Sequence, residues 1–389
     1  MTKTILITGA RAPVALHFAR VLKGAGHRVI LADTQHFPLA RATKFKDKYL
    51  KFPKPSKSLK AFGEAIEAIV SAENCDLILP TCEEIFYLAA WRDVRQRNIP
   101  LLAPHFSKLA AVHNKYEFAL STKAFALAAT ETHLLESQSD IKNFQQDPEL
   151  YVFKPVWSRF ASQVLMCPKR EVLSAIRPTT ASPWLAQKFL PGEELCCWAL
   201  AHQGEVRAIS AYRPLQRAGL GASIAFAPII DEAITHFAAA YCKQLNWSGQ
   251  ISFDFRRDVE GHLHVLECNP RATSGVHFFG SNSTLAAALL SEASASPDQQ
   301  RAMSMPLAML IYGLPQALKS HGFAGFNNWR RHLRTMQDIT AWPNDRSLLP
   351  MQILSLLEIT GKALRSGVSL TTAATYDIEW NGNPLGPAQ

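Results

Sequence analysis

Short apolar runs and amphipathic stretches alternate along the first part of the chain. Thr4–Thr8 reads as a β-strand, residues 13–25 carry a helical pattern stopped by Gly26, and Arg28–Asp33 reads as a second strand ending in an acid. A helical pattern over 59–72 precedes a strand at 76–80, and a second over 83–97 precedes a strand at 99–103. A further helix starts at Ser107. This alternation predicts an open parallel α/β domain over residues 1–112. A helix beginning at Asn114 carries Lys115 on its first turn, and strands are expected at 150–154, 163–167 and 184–190, with a helix at 169–176. From Glu194 to Tyr212 strands and turns alternate, with a hairpin at Gln203 and Gly204, so the pattern becomes that of an antiparallel sheet. A helix over 231–245 leads into one more hairpin, and after Asn282 the pattern is helical.

That hairpin carries the first candidate chemistry. If Glu260 and Gly261 form a two-residue turn, Val259 pairs with His262, and Asp254 then lies opposite Glu267. Their Cβ atoms should be about 5 Å apart, with Asn269 on the same face because strand side chains alternate. Like charges so placed destabilise a sheet unless a cation sits between them. Two carboxylates and an amide oxygen suit Mg²⁺, which leaves its other positions to water and phosphate. A solvated acidic hairpin neutralised by Arg256 or Arg257 is the plain alternative.

Composition narrows the class. At 389 residues, with 48% hydrophobic and 19% charged residues, the chain is of globular type and long enough for several domains. No stretch approaches the roughly 20 apolar residues of a membrane span, and no apolar leader follows Met1, so no membrane partner and a cytoplasmic location are expected. Seven cysteines without CxxC spacing point to reduced thiols. The net charge of +9 is spread out, densest at 44–60 and 330–334. A pocket for phosphate or carboxylate anions explains it better than nucleic acid, which is not expected as a partner.

Three other motifs lead elsewhere. The opening βαβ unit resembles a dinucleotide site, but Arg11 and Val14 stand where G-x-G-x-x-G needs glycine, and these side chains keep a pyrophosphate from the backbone. His262 and His264 have strand spacing for a metal, yet they face away from Asp254 and Glu267. Cys82, between Thr81 and Glu83 at a strand end, has no histidine implied nearby to activate it; Thr81 and Glu83 read as a helix cap or a substrate wall.

Four separated segments together resemble the ATP-grasp superfamily, over residues 1–295: Asn114-Lys115, Phe153-Lys154-Pro155, the run Ala186-Gln187-Lys188-Phe189-Leu190-Pro191-Gly192-Glu193-Glu194, and Asp254 with Glu267-Cys268-Asn269-Pro270-Arg271. The resemblance implies an ATP-grasp fold with an N-terminal open parallel α/β domain (1–112), a central lid subdomain (113–190), an antiparallel C-terminal sheet subdomain (191–295) and a mostly helical C-terminal extension (296–389). It implies Lys115 and Lys154 on the ATP phosphates, Gln187 to Leu190 around adenine, and Glu194 on the ribose. Gln187 stands where the family usually has Glu, and its side-chain carbonyl can accept from the adenine amino group. Asp254, Glu267 and Asn269 would hold Mg²⁺ or Mn²⁺, and Arg271 would face the transferred phosphoryl, with Arg213 a second anion contact. The family's glycine-rich loop is absent: residues 156–163 contain no glycine, so Arg159 is expected to supply a guanidinium fork in its place. The implied activity is an ATP- and Mg²⁺-dependent ligase that activates a small-molecule carboxylate as an acyl phosphate and joins it to an amine. A thiol or bicarbonate acceptor, or an ATP-binding regulator without turnover, are the alternatives; a homodimer stays open.

Overall fold

The computed structural model describes residues 1–125, 127–128, 130–157, 163–218, 221–282, 284–291 and 293–385. Strands β1 (Thr4–Thr8), β2 (Arg28–Asp33), β3 (Lys48–Lys51) and β4 (Leu77–Leu79) form a parallel sheet in the order β3-β2-β1-β4. Helices α1 (Pro13–Gly24), α2 (Leu59–Glu73) and α3 (Glu84–Arg95) accompany these strands. Ile5, Leu6 and Ile7 are fully buried, as a parallel strand covered on both faces requires. Two details differ from the pattern reading. β3 is an added edge strand whose two lysines kept it from standing out, a composition that protects edges from further pairing. Residues 99–103 form no regular strand and contribute one bridge, Ile78 to Leu101.

Helices α4 (Phe106–His113) and α5 (Lys115–Ser121) follow, and Asn114 caps α5 by accepting from the amides of Tyr116 and Glu117. A second sheet, antiparallel, has the order β5-β8-β6-β7, with β5 (Thr132–Leu135), β6 (Tyr151–Pro155), β7 (Leu165–Met166) and β8 (Trp184–Lys188).

The third sheet has seven strands in the order β13-β12-β9-β10-β11-β14-β15. These are β9 (Gly192–His202), β10 (Glu205–Arg217), β11 (Ser223–Ile229), β12 (Gly249–Asp258), β13 (Leu263–Asn269), β14 (Met303–Ser304) and β15 (Gln337–Asp338). Alternation along β12 divides its two faces. Phe253 and Phe255 are buried against Phe237 of helix Glu232–Gln244, leaving Ser252, Asp254 and Arg256 on the opposite face.

The β12–β13 hairpin is built differently from expectation, yet it reaches the expected pairing. Its loop has three residues: the Gly261 amide donates to the Asp258 carbonyl at 3.1 Å, and the Asp258 amide donates to the His262 carbonyl at 3.0 Å. Gly261 takes the positive φ, +90°, that this longer loop needs. Phe255 therefore pairs with Val265, one step out of the predicted register. A bulge at Leu266 then restores it, so Asp254 does lie opposite Glu267.

Residues 296–389 are not simply a helical extension. Helices Leu314–Thr335 and Leu349–Ser366 are present, but β14 and β15 complete the third sheet, and the chain then returns to the N-terminal sheet, where Trp380 is buried. No described helix is long and apolar enough to cross a membrane.

Candidate active site

A cavity of about 340 Å³ lies between the second and third sheets. Its floor is a row of side chains running across the third sheet: Glu267 on β13, Asp254 on β12, Cys196 on β9 and Tyr212 on β10, each the register partner of the next. Lys154, Gln187, Lys188, Phe189 and Leu190 line it from β6 and the end of β8.

Charge in the cavity is arranged around the two carboxylates. Lys115 and Lys154 are both buried, and each Nζ lies 3.9 Å from Oε2 of Glu267. Burial pushes both lysines below the ordinary ammonium range, with Glu267 opposing it. For Glu267 burial acts upward, but the two lysines outweigh it and bring its pKa to about 2. Burial and the neighbouring Glu267 charge push Asp254 up to about 7, with Arg217 opposing them.

Asn269 donates to Oδ2 of Asp254 at 3.2 Å and accepts from Arg271 at 3.2 Å. A half-turn of its amide exchanges the two atoms and brings the oxygen beside the carboxylates. Asp254, Glu267 and Asn269 then form a set of hard oxygen donors, which fits a divalent cation such as Mg²⁺. Ser252 donates to the Arg271 carbonyl at 2.9 Å and so fixes the turn that follows β13.

The structure places the other sequence-predicted residues unequally. Gln187 does not present a free carbonyl: Oε1 accepts from Lys154 Nζ at 3.1 Å, and its Nε2 donates to Thr132 at 3.1 Å. In the hinge, the amides of Lys188 and Phe189 already donate to the carbonyls of Glu131 and Leu150, whereas the Leu190 amide has no backbone partner among the described residues. Glu194 lines the cavity, as expected. Arg213 does not. It lies on the far face of β10, half exposed, with Glu193 at 3.4 Å. Arg159 lies outside the described residues.

Arg217, Cys196 and Tyr212 were not read from the sequence as site residues. Arg217 pairs with Glu194 through two of its three nitrogens, Nη2 at 2.8 Å and Nε at 3.0 Å. Strict alternation would put Arg217 and Tyr212 on opposite faces, but two register shifts between Pro214 and Arg217 turn both toward the cavity. Cys196 Sγ is hydrogen-bonded to Asp254, and burial raises its thiol pKa far above the ordinary value, so it stays protonated. Pairing from the two-residue turn at Gln203 and Gly204 puts Tyr212 opposite Leu195; a register shift between Val206 and Ala208 moves its partner to Cys196.

Asp33 has no room for a ribose. It accepts from the Arg11 amide at 2.9 Å and pairs with the Arg11 guanidinium at 2.5 Å. His264 points to Asp258 at 2.8 Å, away from the carboxylate pair.

No protein-family model matches the chain, and no curated protein matches its sequence. Solved structures do match its fold. A Staphylococcus aureus N5-carboxyaminoimidazole synthetase complexed with ADP aligns over 92% of this chain and 96% of its own, with a TM-score of 0.61 and 11% identity. An L-amino acid ligase from Bacillus licheniformis aligns over 77% and 79%, with a TM-score of 0.59 and 16% identity. A Campylobacter jejuni biotin carboxylase in complex with a β,γ-ATP ligand aligns over 77% and 73%, at 0.57 and 16%. The chain has the ATP-grasp fold.

Proposed function

We propose that the protein is an ATP- and Mg²⁺-dependent ligase that phosphorylates a carboxylate and joins the resulting acyl group to an amine. One observation carries this reading: two facing carboxylates of the third sheet and two buried lysines, one on helix α5 and one on the second sheet, converge on one cavity. A nucleotide's phosphates would take the two lysines over from Glu267, and a divalent cation would then supply the charge that the two facing carboxylates need. The fold neighbours support it at the level of chemistry, since they include an L-amino acid ligase and ADP and ATP-type complexes.

A carboxylate is a poor electrophile because it has no leaving group. Its oxygen attacks the γ-phosphorus and ADP leaves; an amine then attacks the acyl carbon, loses a proton, and phosphate leaves. Bound at Asp254, Glu267 and Asn269, Mg²⁺ would neutralise phosphate charge. Lys115 and Lys154 hold the phosphates, Arg271 faces the transferred group, and Arg217 fixes Glu194 for the ribose. No side-chain nucleophile is required. Isothermal calorimetry with Mg–ATP, followed by a phosphate-release screen of carboxylic acids with amines, tests the reading. Absence of Mg–ATP binding removes it, and binding without phosphate release under any acid and amine leaves only a nucleotide-binding protein.

A further inference from the structure

Open parallel sheets bind ligands at the carboxyl ends of their strands, where the strand order reverses. In this protein that crevice, beyond β1 and β4, is filled by the chain's own residues 374–383. Asp377 is held at its floor, with Oδ1 2.6 Å from Arg11 Nη1, while Arg11 also pairs with Asp33; all three side chains are buried. Arg11 donates to the Ala374 carbonyl at 2.8 Å, and the Tyr87 hydroxyl donates to the Glu379 carbonyl at 2.6 Å. These bonds present Trp380 to the side of the cavity.

Trp380 meets three residues there, Glu83, His113 and Trp157, and each lies near one of the cavity's cations in space or in sequence. Its amide donates to Oε2 of Glu83 at 3.4 Å, and the other oxygen of Glu83 lies 3.9 Å from Nε of Arg271. Its indole is 6.1 Å from the His113 ring, just before the cap of the helix that begins with Lys115. It also makes an edge contact at 5.0 Å with Trp157, which follows the strand that carries Lys154. Gly382 packs on the same Trp157 ring so closely that a Cβ there would lie 2.5 Å from it.

We infer that the C-terminal segment completes the site: Trp380 is a positioning residue that sets Lys115, Lys154 and, through Glu83, Arg271 around the phosphates. This rests on the ligase reading above. The crevice that would otherwise admit a ligand becomes a wall, and substrates reach the cations only from the cavity between the sheets.

The test uses the full chain with Trp380→Ala, Trp380→Phe and Glu83→Gln, after melting curves show that each is folded at the assay temperature. Trp380→Ala should weaken Mg–ATP binding by about tenfold in calorimetry, and Trp380→Phe should recover to within about threefold of the parent, because an aromatic ring restores the contact. Glu83→Gln should lower phosphate release from Mg–ATP by about tenfold and weaken Mg–ATP binding by less, since Glu83 lies against the arginine facing the transferred group and acts on Lys115 only by its charge. Parental binding in Trp380→Ala overturns the inference, as does equal loss in the Phe and Ala variants. If Trp380→Ala does not fold, parental phosphate release in Glu83→Gln overturns it alone. Failure of the parent chain to bind Mg–ATP sinks the ligase reading instead, and this inference with it.

Discussion

Lys154 of the second sheet and Glu267 of the third are an ion pair across the cavity, Nζ to Oε2 at 3.9 Å. Both are largely withdrawn from water, so their attraction is stronger than a surface pair's, and it ties together the two sheets that wall the cavity. In the proposed ligase, a phosphate arriving at Lys154 and a cation arriving at Glu267 would replace this contact with two charge-compensated ones. On that proposal the pair is a placeholder for the ligands as much as a structural bond.

Lys154→Ala should weaken Mg–ATP binding by about 1.5–3 kcal/mol, the range of a charged hydrogen bond. It should also unsettle Gln187, whose carbonyl accepts from Lys154. Calorimetry checks this, and an unchanged dissociation constant would remove Lys154 from the phosphate site.

Glu267→Gln removes one charge and almost no volume from a position held by two lysines. The variant should fold, lose at least about tenfold in Mg²⁺ affinity, and lose phosphate release nearly completely. Parental turnover in a folded Glu267→Gln would show that the cation is held elsewhere.

Arg217 and Arg213 lie four residues apart on one strand and should behave oppositely. Arg217→Ala unpairs Glu194 inside the cavity and should raise the KM for ATP several-fold. Arg213→Ala removes an exposed guanidinium and should change stability by less than about 0.5 kcal/mol, with kinetics unaltered. A reversed order in steady-state kinetics would mean that β10 presents its other face.

Burial pushes Asp377 up, but the Arg11 guanidinium and the Thr34 hydroxyl push it further down, so it ends below the ordinary carboxylate range. In the unfolded chain it titrates near its usual value of about 3.9. Between those two values the unfolded chain binds more protons, so stability rises with pH there. The contribution is complete above about pH 5 and is lost as pH falls through the folded value. Asp377→Asn should therefore be less stable than the parent in urea at neutral pH, and the gap should shrink below about pH 4. A gap equally wide at about pH 3 would disprove the pairing.

The local pattern determined the βαβ opening, the turn at Gln203 and Gly204 and the helix before the β12–β13 hairpin, because period-2 and period-3.6 spacing reports which face a residue shows to a core. The hairpin pattern set Asp254, Glu267 and Asn269 on one face, the family resemblance singled out Lys115 and Lys154, and the fold brings all five to one cavity. What the pattern left undecided was register and long-range return. Asp254 meets Glu267 through two departures that offset each other, a loop one residue longer and a bulge at Leu266. On β10 no second change compensates: a shift between Val206 and Ala208 places Tyr212 opposite Cys196 instead of Leu195, and the later shifts bring Arg217, not Arg213, to the cavity. The contact of Trp380 with Glu83 joins residues 297 apart in the chain. Bulges and such closures are set by how whole sheets twist and pack, and neighbouring residues carry no periodic trace of them; only the tertiary structure could decide them.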